Sequence, residues 1–81
     1  MNSLWSIGII AKNDLSDKDK DLIAEIIDSE SHNAIKEHSF VLHEIFESDK
    51  SLEIIIEGKK SAAINIKNVL IDNIFLLSIC N

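Results

Sequence analysis

Residues 40–58 read FVLHEIFESDKSLEIIIEG, two runs rich in β-branched and aromatic residues on either side of a polar Ser48-Asp49-Lys50-Ser51 break. Period-two runs flanking a connection of this length predict a β-hairpin, with one strand from Ser39 to Glu47 and the next from Leu52 to Glu57. The break holds no glycine, so a loop built on a type I turn suits it better than a tight primed turn. The second run alternates cleanly, placing Leu52, Ile54 and Ile56 toward a core and Glu53, Ile55 and Glu57 away from it. In the first run Phe40, Leu42 and Phe46 share a face with Glu44, while Val41 and Ile45 share the other with His43. Each face therefore hosts one polar side chain that has to reach solvent or a partner.

Outward from the hairpin, residues 4–12, LWSIGIIAK, form a short, nearly continuous apolar run that predicts a central strand. Trp5, Ile7, Ile9 and Ala11 fall on one face and Leu4, Ser6, Gly8 and Ile10 on the other, with Gly8 leaving room for a close approach. Ser16, followed three residues later by Asp19, predicts a capped helix start. Leu22, Ile23, Ile26 and Ile27 make its apolar stripe, and Asp17, Lys18, Asp21, Glu25 and Asp28 look outward. Its end falls between Ser29 and Ile35, where no Gly or Pro sets a stop. Beyond Gly58, Ser61 is placed to cap a second helix running to about Asn73, with a stripe of Ala63, Ile66, Leu70 and Ile74 flanked by Ala62, Val69 and Ile71. Residues 75–80 read as a last apolar strand.

The order β-α-β-β-α-β resembles the split βαβ, ferredoxin-like arrangement. The expectation is an α+β fold: a four-stranded antiparallel sheet whose middle strands are the first and third, with two helices on one face. A likeness of topology carries no function with it.

The chain of 81 residues is short enough to be a single domain, 1–81, with a thin core. Its lone cysteine, Cys80, excludes an internal disulfide and fits a reduced compartment. No basic leader precedes an apolar run, and no run approaches the roughly 18 residues of a membrane span, so a cytoplasmic protein is expected. A composition rich in Ile, Lys and Asn, without Arg or Pro, points to AT-rich coding and a bacterial or phage source.

Charge is segregated. Residues 13–30 and 37–57 each carry −5, against +4 elsewhere and a total of −6. All eight basic residues are Lys, which removes the planar guanidinium that most often grips phosphate or reads guanine. Direct nucleic-acid binding is therefore not expected, and a basic protein partner is.

Motifs that carry chemistry are missing. Gly58-Lys59-Lys60-Ser61 sits between a strand and a helix, but a phosphate-binding loop needs Gly at the position of Glu53 and Ser or Thr at that of Lys60. His32, His38 and His43 stand six and five apart, which matches no helical zinc pair. Cys80 near the end of the chain makes a poor nucleophile position, since such chemistry needs rigid placement. The carboxylates lie on expected solvent faces, where nothing corners a general acid. An RNA-binding sheet of this topology needs central aromatics among basic residues, whereas Ile54, Ile55 and Ile56 occupy that place. No catalytic residue, cofactor or metal is assigned.

The surface left unexplained is the face opposite the helices, expected to carry Leu4, Ile10, Val41, Ile45, Ile55 and Leu76 together with Glu53 and Glu57. A contiguous apolar set on a sheet face implies a partner or a dimer. The leading expectation is a small acidic inhibitor, immunity-type or a phage anti-defence protein of the anti-CRISPR kind. It would block the basic site of a nuclease or other nucleic-acid-acting enzyme through Glu44, Glu47, Asp49, Glu53, Ile55 and Glu57. The alternatives are an ACT-like small-molecule regulatory domain, against which the Gly-free Asn13-Asp14-Leu15 turn counts, and a homodimeric interaction module.

Overall fold

In a computed structural model, residues 2–11, 13–74 and 77–79 are described. The first strand, β1 (Ser3–Ala11), is followed by α1 (Asp17–Ser31), a 3-10 turn (Lys36–His38), the hairpin β2 (Phe40–Glu47) and β3 (Ser51–Gly58), then α2 (Lys60–Ile74) and a short β4 (Leu77–Ile79).

The expected four-stranded ferredoxin-like βαββαβ sheet does not hold. The body of the sheet is three-stranded and antiparallel, β1-β3-β2, with two helices beside it. β4 adds only a three-residue edge, with Leu77, Ser78 and Ile79 paired to Ala11, Ile10 and Ile9 in that order. The apolar end of the chain explains the difference, because short apolar runs do not separate helix from strand by period. α2 takes the chain as far as Ile74, and the strand expected over residues 75–80 is seen only at Leu77–Ile79, its other positions lying outside the described residues.

Local chemistry sets the element ends. Ser16 caps α1 as expected: its Oγ accepts from the Asp19 N–H at 3.1 Å, and the Asp19 carboxylate accepts from the Ser16 N–H at 3.1 Å. The helix closes at Ser31, with the His32 N–H donating to the Ser29 carbonyl. Ser61 does not cap α2, which already begins at Lys60; its hydroxyl donates instead to the Glu37 carbonyl at 2.8 Å, joining α2 to the 3-10 turn.

β2 contains the second departure. Leu42 pairs with Ile56 and Glu44 with Ile55, so His43 is an extra residue in a β-bulge. One inserted residue reverses the facing of everything after it. Ile45 is thereby brought opposite Ile54 and packs against the core, whereas Phe46 turns to the other face and is 50% exposed. Unbroken alternation puts Phe46 with Phe40 and Ile45 with Val41, and the bulge exchanges them.

The core lies between one sheet face and both helices. Ile7, Ile9, Ile54 and Ile56 meet Ile23 and Ile27 of α1 and Ala62, Ile66 and Leu70 of α2. Gly58 ends β3 at a close approach: a Cβ there would stand 3.2 Å from Phe40 Cβ and 3.5 Å from Ala62 Cβ. Its carbonyl accepts from the Trp5 indole N–H at 2.9 Å.

Candidate functional site

The register of the three long strands defines the face turned away from the helices. One row across it reads Val41, Glu57, Leu4; the next Glu44, Ile55, Ser6; the next Phe46, Glu53, Gly8. Neighbouring strands lie about 4.8 Å apart, so each row brings its side chains into mutual reach. Leu4 and Val41 are 64% and 61% exposed, and Glu44, Glu53 and Glu57 are exposed among them. The core between sheet and helices is on the opposite side.

Of the six residues expected to bind a partner, Glu44, Glu53, Ile55 and Glu57 share this face. Glu47 does not: it pairs with Leu52, whose side chain is buried, and so lies on the core-side parity at an exposed strand end. Asp49 sits in the hairpin loop, where its carbonyl accepts from the Leu15 N–H at 2.7 Å, while the Lys50 carbonyl accepts from the Ala11 N–H at 2.7 Å. Ile45, expected here, has moved to the core side, and Leu76 lies outside the described residues. Simple alternation misses Phe46 as a member of the site and groups Glu44 with Phe40; the bulge at His43 brings both Glu44 and Phe46 to the open face. Adjacent polar residues, His43-Glu44, in a strand otherwise apolar are the signal that points to the bulge.

Two contacts organise the carboxylates. Ser6 Oγ donates to Glu53 Oε2 at 2.6 Å, and His43 Nε2 lies 3.0 Å from Glu57 Oε1. Among the described residues Glu44 and Glu53 form no ion pair, and Lys50 meets Asp14 at 3.9 Å near the hairpin tip. A shallow depression of about 230 Å³ opens over Gly8, bordered by Ile10, Ser51 and Glu53. A second hollow of about 200 Å³, between β1 and α2, is lined by Trp5, Ile7, Ala63 and Ile64 with Lys60 and Lys67.

His32 bonds within the end of α1, His38 belongs to the 3-10 turn and His43 to the bulge, so the three are dispersed. Among the described residues no group of three His, Cys, Asp or Glu side chains could hold a metal, and no polar or charged residue is buried. Exposed carboxylates on an apolar floor are suited to binding a surface of opposite charge. No helix among the described residues is long and apolar enough to cross a membrane. Comparison with protein-family models, curated proteins and solved structures returns no match.

Proposed function

We propose that this chain is an acidic protein-binding module whose open sheet face docks on a basic surface, acting as an inhibitor of a nucleic-acid-acting enzyme in the cytoplasm. The observation that carries the reading is the composition of that face: Leu4, Val41, Phe46 and Ile55 exposed or half-buried, with Glu44, Glu53 and Glu57 interleaved. The carboxylates would occupy places that phosphates take in the partner's own complexes, and the apolar side chains would supply the buried centre of the contact.

The test compares Glu44→Lys, Glu53→Lys and Glu57→Lys combined with a control in which Asp17, Asp21 and Asp28 of α1 are changed to Lys. Both alter net charge equally. A partner held by the wild type and the α1 control, lost by the sheet-face variant, and displaced by added nucleic acid is the expected result, with association slowing most at low salt. Equal loss in both variants overturns the reading, as does a stable dimer of this chain, seen by sedimentation, that buries the face.

A further inference from the structure

We infer that the depression over Gly8 receives an arginine side chain of the basic partner, with the guanidinium paired to Glu53 and flanked by Phe46. The inference rests on the docking face proposed above and names what that face grips.

Gly8 interrupts the floor of side chains at the middle of β1. The row through it reads Phe46, Glu53, Gly8, so an aromatic ring, a carboxylate and a gap stand side by side. The gap, about 230 Å³, is lined by β1 and β3 alone and has room for an aliphatic stem. Phe46 stands on the far side of Glu53, where a guanidinium that reaches across the carboxylate meets the ring. Glu53 is held in place through Oε2 by the Ser6 hydroxyl, and no described residue donates to its other oxygen. A fixed carboxylate beside an exposed ring matches a planar guanidinium, which bonds the one and stacks on the other, better than it matches a compact ammonium. A second copy cannot be the source, because this chain has no Arg. The acids of α1 offer no equivalent: Asp17, Asp21 and Asp28 are exposed on a helix that carries no aromatic residue.

The probe is acetyl-Gly-Arg-Gly-amide, titrated into the isotopically labelled full chain beside its lysine counterpart. Amide shifts confined to Ser6, Gly8, Ile10, Phe46 and Glu53, with Arg about threefold tighter than Lys, are expected. The preference should vanish in Glu53→Gln, in Gly8→Val and in Phe46→Ala, the last keeping the test valid if Gly8→Val fails to fold. Equal shifts from both peptides, spread over the α1 acids, overturn the inference, and so does an Arg preference that survives Phe46→Ala and Glu53→Gln. If it falls while the Glu44, Glu53 and Glu57 reversal still releases a partner, the docking face stands without this anchor.

Discussion

The two faces of β3 differ more than any two regions of the molecule. Ile54 and Ile56 are fully buried against the helices, whereas Ile55 between them is half-buried on a face shared with Glu53 and Glu57. Three consecutive isoleucines thus serve two purposes, and only the pleat separates them. The core face holds the fold together through close packing; the open face keeps apolar surface in water, which the fold itself does not require.

The sharpest way to break this contrast is Ile54→Ala against Ile55→Ala. Loss of about 3 kcal/mol is expected at Ile54 from lost burial and a residual cavity, and less than about 1 kcal/mol at Ile55, read by urea unfolding. Next comes the pair separated by the bulge. Ile45→Ala should cost about 1–2 kcal/mol and Phe46→Ala under about 1 kcal/mol; the reverse order would mean that Phe46 is a core residue after all. Ser16→Ala should remove about 1 kcal/mol by uncapping α1 without touching either face. The smallest effect is expected from His43→Ala, within about 0.5 kcal/mol, because its contact with Glu57 is solvent-exposed.

Much of this is legible in the chain. Clean alternation in β3, the Ser16 and Asp19 pair, and the burial of Ile23 and Ile27 in α1 and of Ala63, Ile66 and Leu70 in α2 each express a local rule, and each appears where that rule puts it. Facing in β2 is not legible past Leu42, since a bulge changes parity without changing composition. The four-stranded sheet is not legible for another reason: residues 74–80 read IFLLSIC, a run whose period does not separate helix from strand, and among the described residues its strand is seen only at Leu77–Ile79. At the candidate site, Glu53, Ile55 and Glu57 follow from alternation in β3 alone, while Phe46 emerges only once the bulge is seen.

The bond from the Trp5 indole to the Gly58 carbonyl has a kinetic consequence. It joins residues 53 apart in the chain, while β2 and β3 are linked by a short loop. The hairpin can close early, and β1 must cross a long loop to join it. Because Trp5 is the sole tryptophan and also lines the hollow against α2, its fluorescence reports the joining of β1 to the rest of the fold. In stopped-flow refolding it should trail the rise of hairpin amide protection, which makes the indole a built-in clock for the closing of the sheet.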